Sequence, residues 1–271
     1  MTMHKIYFGD SREIHPQKTT CHLVVTSPPY WDLKDYGRET QIGLGQTYTQ
    51  YLDSMNTVFS NCFDSLYEGC KMCVNIGDIF VKSVDSSDAI TTIIPIASSF
   101  ILQCVKLGFT YCGDLIWTKV SSGAPSGGST WGGSTYYPRD GVVCQNYEHI
   151  LLFRKPGKPP QVSQETKELS ELTYDERSKW FTGMWSVSGA SQKGHPAVFP
   201  LEIPRRLIKM FSMHGETVYD PFMGSGTTSE ACVVTGRDSI GCELNTEYKS
   251  FIQDRFKKYS LKKARVKFIN V

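Results

Sequence analysis

Two stretches of the chain carry residues whose types and spacing point to chemistry. The first is Thr26-Ser27-Pro28-Pro29-Tyr30-Trp31, directly after the apolar run Leu23-Val24-Val25. Each proline fixes φ and lacks an N–H, so the carbonyls here stand on a rigid backbone with no neighbouring donor competing for them. Such carbonyls, with a hydroxyl beside them and an aromatic ring behind, are suited to receive an amino group. The carboxyl edge of a buried strand is also where open α/β sheets bind ligands. The second stretch is Thr217-Val218-Tyr219-Asp220-Pro221-Phe222-Met223-Gly224-Ser225-Gly226-Thr227-Thr228. A β-branched run feeds a Gly-x-Gly turn and then an apolar helix through Ala231, Cys232, Val233 and Val234, the strand–turn–helix of a nucleotide-like cofactor site.

The turn itself narrows the cofactor. A P-loop needs a lysine after its last glycine to neutralise phosphates, and Thr227 stands there instead. Ser229 takes the place of a third glycine, and Asp220-Pro221 adds a carboxylate at the strand end, which repels a pyrophosphate and attracts a cation. A further strand-like segment, Asp238-Ser239-Ile240-Gly241-Cys242-Glu243, ends in an acid about 17 residues past Gly226, near the ~20 at which such an acid accepts from ribose hydroxyls. The cofactor these features describe is a nucleoside with a positively charged, phosphate-free substituent. S-adenosylmethionine, with its sulfonium and ammonium, fits.

The elements that must position these stretches alternate between strand and helix. Lys5 to Gly9 reads as a strand, followed by a helix through Arg12 to His15, and His22 to Thr26 as the second strand. From Trp31 to Gly45 the chain reads as a mobile loop. Thr49 to Tyr67 has Tyr51, Leu52, Met55, Val58, Phe59 and Phe63 at helical spacing. Met72 to Ile76 is a third strand ending at Gly77-Asp78, and the apolar segment from Ile90 to Val105 is read as a core helix stopped by Gly108. Phe109 to Thr118 and His149 to Arg154 are two further strands. Strands alternating with helices argue a mostly parallel sheet. Two segments break the rhythm: a glycine-rich one around 121–137, and a polar, irregular one over 159–194 whose large apolar residues are Trp180, Phe181, Met184 and Trp185. Loops this long inside a domain are usually functional or disordered.

Composition bounds the rest. The 271 residues are 40% hydrophobic and 21% charged with a formal net charge of +2, which fits one elaborated α/β domain and predicts nothing about partners. Lys257, Lys258, Lys262, Lys263, Arg265 and Lys267 read as a solvated helix face. The start of the chain leads straight into a strand, so no signal peptide is expected, and the most apolar stretch falls short of the ~18 continuous apolar residues of a membrane span. Nine cysteines then suggest reduced thiols in a cytoplasmic protein. Cys70-Lys71-Met72-Cys73 has no second pair and no nearby histidine, so packing rather than a metal site is expected.

Taken together, Thr26-Ser27-Pro28-Pro29-Tyr30 and Asp220 to Thr228 resemble the catalytic and cofactor motifs of the amino-methylating DNA methyltransferases of restriction–modification type. Further matches are Gly9-Asp10, Asn75-Ile76-Gly77-Asp78, Glu148 to Lys155, and His195-Pro196-Ala197-Val198-Phe199-Pro200 with the helix after it. The catalytic motif precedes the cofactor motif, as in the circularly permuted beta class. The resemblance implies a Rossmann-like class I methyltransferase fold: one domain over 1–271 with a mostly parallel seven-stranded sheet, entered at its third strand, and loop insertions at 119–147 and 157–194 as candidate target-recognition regions. It implies S-adenosyl-L-methionine held by Asp10 near the adenine, Glu243 on the ribose, Phe222 along the adenosyl group, and Asp220, Pro221, Gly224, Ser225, Gly226 and Thr227 around the methionine part, with Thr26 alongside. The turn-capping alternative for Asp10 stays open.

The chemistry implied is direct methyl transfer to an exocyclic amine of a flipped-out base. Ser27 and the carbonyl of Pro28, on the frame of Pro29, would accept the amine's hydrogens and Tyr30 would stack on the base. No metal and no cysteine nucleophile is needed. Ser27 favours cytosine N4, with adenine N6 as the alternative. An RNA or protein-glutamine methyltransferase is disfavoured by Ser27, and an inactive DNA-binding relative by the intact motif glycines. Trp31, Lys119, Arg139 and Lys193 are candidate contacts to duplex DNA. A restriction endonuclease acting on the same site is an implied partner, and the helix from Tyr48 to Phe63 a candidate homodimer surface.

Overall fold

The computed structural model describes residues 1–82, 91–120, 143, 145–189, 200–259 and 263–270. Its centre is a nine-stranded sheet in the order β11-β1-β10-β9-β2-β3-β7-β6-β8, where β1 is Thr2–Phe8, β2 Cys21–Thr26, β3 Leu66–Ile76, β6 Thr110–Val120, β7 Tyr147–Arg154, β8 Met184–Ser188, β9 Thr217–Asp220, β10 Asp238–Glu243 and β11 Ala264–Asn270. Every pairing is parallel except those of β7 with β3 and β6. The cofactor-motif strand β9 lies beside β2, the strand of the proline motif. Counting outward from β9 through β10 makes β1 the third strand, as a permuted chain requires.

Alternation along the central strands builds a core on each face. Val24, Met72 and Val74 point into one cluster with helices α1 (Tyr48–Ser65) and α2 (Ile96–Lys106). Leu23, Val25 and Cys73 point into the other with α5 (Glu202–Phe211) and α6 (Thr227–Thr235). Helix α1 opens with a Thr47/Gln50 capping box and buries Tyr51, Met55, Val58, Phe59 and Cys62, one stripe at 3.6-residue periodicity. These apolar residues, proposed from sequence as a dimer surface, are spent on the protein's own core. Helix α6 is buried nearly all round and lies between two left-handed glycines, Gly226 at φ +86° and Gly236 at φ +74°. A third cluster joins Ile6 and Phe8 of β1 to Ile252 and Phe256 of α7 (Lys249–Lys257).

Several expectations are corrected. The sheet has nine strands rather than seven, because β8 and β11 extend its two edges. Arg12 to His15 form a turn closed on the Asp10 carbonyl, with Pro16 following before a helix can propagate. Within the apolar run from Ile90, Thr91–Ile94 is β5, paired antiparallel with β4 (Ile79–Lys82), and the helix starts only after Pro95. Helix α1 stops at Ser65, so Leu66 and Tyr67 begin β3. The stretch 159–194 is not irregular where described: it forms α3 (Gln164–Leu169), α4 (Tyr174–Trp180) and β8, anchored by buried Trp180 and Trp185 under Arg205 and Arg206. Arg265 and Lys267 lie on the edge strand β11 rather than on a helix face. Cys70 and Cys73 are free thiols packed in β3, and among the described residues no acid, histidine and cysteine cluster could hold a metal. No described helix is long and apolar enough to cross a membrane.

Candidate active site

Because β9 and β2 are neighbours, motifs far apart in sequence meet at one sheet edge. The Thr26 hydroxyl donates to Asp220 Oδ1 at 2.8 Å, linking the end of β2 to the end of β9. Asp220 Oδ1 also accepts from the Phe222 amide at 3.0 Å. One strand further, Glu243 ends β10, with Oε2 accepting from the Gly224 amide and Oε1 from the Asn245 amide, both at 2.8 Å. Both carboxyls are buried, and neither has an ion-pair partner among the described residues. Burial pushes Asp220 up to about 6 against the pull of its hydrogen bonds, and Glu243 up to about 7. Two desolvated acids with no ion-pair partner among the described residues thus stand beside the glycine turn at the ends of β9 and β10.

The turn is held from outside. Arg255 on α7 donates from Nε to the Ser225 carbonyl at 2.8 Å and from a terminal nitrogen to Ser225 Oγ at 3.0 Å. Gly226 starts α6 in the left-handed region, Thr227 is buried in its first turn, and Pro221 is buried beside Asp220. Asp10, at the end of β1, accepts from the Arg12 amide at 2.9 Å and is forked by the Arg12 guanidinium, so it orders its own turn. The segment from Trp31 to Gly45, with a single 3-10 turn at Trp31–Leu33, straps the two sites together. Arg38 donates to Asn245 Oδ1 at 2.9 Å, Asn245 Nδ2 to the Tyr36 carbonyl at 2.9 Å, and Arg12 to the Thr40 carbonyl at 3.0 Å. The Tyr36 phenol is pushed up to about 12, mainly by burial, with Tyr248, Glu243 and Glu148 adding to it.

At the proline motif, Tyr51 donates its hydroxyl to the Pro29 carbonyl at 2.8 Å, leaving the Pro28 carbonyl without a protein donor among the described residues. The Tyr30 hydroxyl donates to Glu148 Oε2 at 2.9 Å. Asn75 of β3 donates to the same oxygen at 2.6 Å, to the Tyr30 oxygen at 3.1 Å and, at 3.4 Å, to Ser27 Oγ. Lys119 of β6 pairs with Glu148 Oε1 at 2.5 Å. The Tyr30 ring lies against Gly77, where an added Cβ would come to 3.1 Å. Asn75 Oδ1 is buried with no hydrogen-bond partner among the described residues.

Of the residues read from sequence as contacts to nucleic acid, Lys119 is in this network and Trp31 is folded back, its indole donating to the Gln46 carbonyl at 2.7 Å and its ring edge-on to Tyr48. Arg139, Lys193 and most of the segment 195–200 lie outside the described residues. Sequence reasoning gave no role to Asn75 or Glu148. Their signal was a polar side chain inside an apolar strand pattern, and both are buried.

A family profile described as DNA methylase matches residues 21–254. The chain is 33% identical to the type II methyltransferase M.MjaI of Methanocaldococcus jannaschii, over 98% of this chain and 94% of that one. It is 31% identical to the type II methyltransferase M.MthZI of Methanothermobacter thermautotrophicus, over 94% of this chain and 76% of that one. A Thermus thermophilus protein described by sequence as a DNA modification methylase, solved in complex with S-adenosyl-L-methionine, is similar in structure with a TM-score of 0.77 at 29% identity, each chain covered to 97%. The cytosine-N4-specific PvuII DNA methyltransferase shares the fold, with a TM-score of 0.67 at 22% identity over 95% of this chain and 88% of that one.

Proposed function

The chain belongs to the DNA methylase family of N6/N4 amino-methylating enzymes, and from that premise we propose that it methylates the exocyclic N4 amine of cytosine in duplex DNA, within a restriction–modification system. The observation that carries this reading is the Thr26–Asp220 hydrogen bond, which puts the amine-accepting motif and the cofactor turn on adjacent strand ends. Holding the reacting nitrogen and the methyl in line replaces a bimolecular encounter.

The residues fit S-adenosylmethionine. Asp220 and Glu243 are buried acids with no ion-pair partner among the described residues, and an ammonium and two ribose hydroxyls are groups that such acids would hold. In this reading Asp220, Pro221, Gly224, Ser225, Gly226 and Thr227 hold the methionine part, Glu243 the ribose, Phe222 the adenosyl face, and Asp10 the adenine side. When bound, the cofactor supplies an electrophilic methyl on a positively charged sulfur.

The exocyclic amine of a base is a poor nucleophile, because its lone pair is delocalised into the ring. Ser27 Oγ and the open Pro28 carbonyl accept its two hydrogens, which localises the lone pair and stabilises the charge growing on nitrogen. The Tyr30 ring, its hydroxyl pinned to Glu148, is the stacking surface for a flipped base. Ser27 in place of an acid is the feature that favours cytosine over adenine. The segments 119–147 and 157–194 are the target-recognition regions in this proposal. In support, β6 and β8 run parallel with Val120 beside Ser188, so the chain leaves both strands at the edge where the site lies.

The test is to incubate the protein with labelled S-adenosylmethionine and plasmid DNA, digest to nucleosides, and identify the product by mass spectrometry. N4-methylcytosine is expected. N6-methyladenine alone would overturn the choice of base, and no methylated nucleoside the reading as a whole.

A further inference from the structure

The strap from Trp31 to Gly45 crosses the edge of the sheet where the cofactor turn lies. It leaves β2 through Tyr30, and its tip reaches the turns that follow β10 and β1, two and three strands away in the order β1-β10-β9-β2. Neighbouring strands lie about 4.8 Å apart, so a path of about 10 Å from β2 to β10 passes the end of β9, where the turn begins. The return leg ends at Gly43, packed so closely on Trp31 that an added Cβ would collide with the Trp31 carbonyl.

Base and tip are held by different forces. Trp31 and Ile42 pack on the core of α1 and α2, and the Gly43 amide donates to Gln46 Oε1 at 2.8 Å. None of residues 32–41 takes part in the three hydrophobic clusters. The tip is stiffened within itself: buried Gln41 accepts from the Tyr36 amide at 2.7 Å and donates to the Lys34 carbonyl at 2.9 Å. Its ties to β10 are polar and converge on one buried side chain. Asn245 donates from Nδ2 to the Tyr36 carbonyl and accepts at Oδ1 from Arg38, both at 2.9 Å, and Arg38 also donates to Thr246 Oγ1 at 3.2 Å. The main-chain amide of the same Asn245 holds Glu243 Oε1. A segment tied by such bonds, outside the core, opens at lower free energy than the core that carries it.

We propose that Arg38 and the Asn245 side chain are positioning residues for S-adenosylmethionine: they latch the strap over the nucleoside end of its pocket, and the cofactor enters and leaves when that latch opens. This rests on the reading above of Glu243 as the ribose acid. The strap is a stiff flap, hinged where Trp31, at φ +46°, meets Gly43, at φ +104°. Asn245 joins acid and cover, since its main chain braces Glu243 and its side chain braces the tip. The Tyr36 phenol, raised mainly by burial, also feels Tyr248 and Glu243 on the cofactor side and Glu148 on the catalytic side, as a cover spanning both would.

Hydrogen exchange of the wild-type chain, with and without saturating S-adenosylmethionine, tests the cover with no substitution. Amides of residues 34–41 are expected to exchange at least about tenfold more slowly with the cofactor bound, because opening must then release it. In stopped-flow binding, Arg38→Met is expected to raise the dissociation rate of S-adenosylmethionine about tenfold, as the loss of one or two hydrogen bonds does, without slowing association. Arg38→Lys, which keeps one cationic donor, should fall between Arg38→Met and the wild type. For Arg38→Met the KM for S-adenosylmethionine should rise, while single-turnover methylation at saturating cofactor stays within about twofold, the mark of lost binding rather than lost chemistry. Exchange over 34–41 that ignores the cofactor overturns the proposal. So does an Arg38→Met protein that releases the cofactor within about twofold of the wild-type rate, or one that loses affinity through slower association. A wild type that binds no S-adenosylmethionine in calorimetry would instead overturn the parent reading.

Discussion

Lowering the pH from 8 to 5 is expected to weaken S-adenosylmethionine binding steeply, because the site's two acids take up their protons over that range. In the ligand-free fold, burial places Asp220 at about 6 and Glu243 at about 7. Each must be ionised to meet an ammonium or to accept fully from ribose hydroxyls, so binding takes up the ionised form and expels a proton. If the linkage is complete, protonation at pH 5 weakens binding about tenfold through Asp220 and about a hundredfold through Glu243, a ceiling of about 10³. The sign in the absence of ligand is the reverse. A carboxyl raised in the folded state penalises folding once it must ionise, so this penalty is absent below the unfolded pKa near 4 and complete above pH 7. Ligand relieves it, and the thermal shift at saturating cofactor should therefore be larger at pH 8 than at pH 5. Calorimetry at pH 6 in two buffers of different ionisation enthalpy reads the proton release directly. Glu243→Gln should remove the larger part of the pH dependence while lowering affinity at pH 8. Affinity that is flat from pH 5 to 8, or that rises on acidification, would refute the reasoning.

Three further outcomes follow from the geometry. Ser27→Ala should lower single-turnover methylation about 10²-fold with cofactor affinity unchanged, and a near-wild-type rate would leave the Pro28 carbonyl as the only acceptor. Gly226→Ala places a Cβ on a residue at φ +86° that begins α6, costing about 1–2 kcal/mol, seen as a lower denaturation midpoint with weakened cofactor binding. Arg237→Ala removes a buried guanidinium that donates to the Ser212 and Thr235 carbonyls on the side of the sheet away from the site. A loss of about 2–4 kcal/mol in urea unfolding is expected, with cofactor affinity intact.

How much of this was legible in the sequence follows from what a linear pattern encodes. Val24 and Val25 announced a central strand because residues buried on both faces leave no alternation. The glycine turn was legible because its backbone cannot be built otherwise. The permutation was legible because motif order survives folding. The Asn75–Tyr30–Glu148–Lys119 network was not, because it joins β3, β6, β7 and the end of β2 through cross-strand adjacency that no spacing records. Ile79–Lys82 and Thr91–Ile94 pair with each other in a hairpin that local hydropathy alone does not separate from a buried helix. The 159–194 stretch reads as irregular because its order is carried by two tryptophans reaching into the core formed with α5, while most of its other residues face solvent.

One feature of the sheet bears on how the specificity of such an enzyme changes. Since β7 runs against its neighbours, the chain leaves the sheet at Val120 and re-enters at Tyr147 on the same edge, next to Lys119 and Glu148. The connection between them begins and ends at fixed points already braced by the site, and neither strand depends on its length for register. In the function proposed above, that connection is a cartridge, whose contents recombination can exchange or enlarge while the strands and the site they brace are inherited intact.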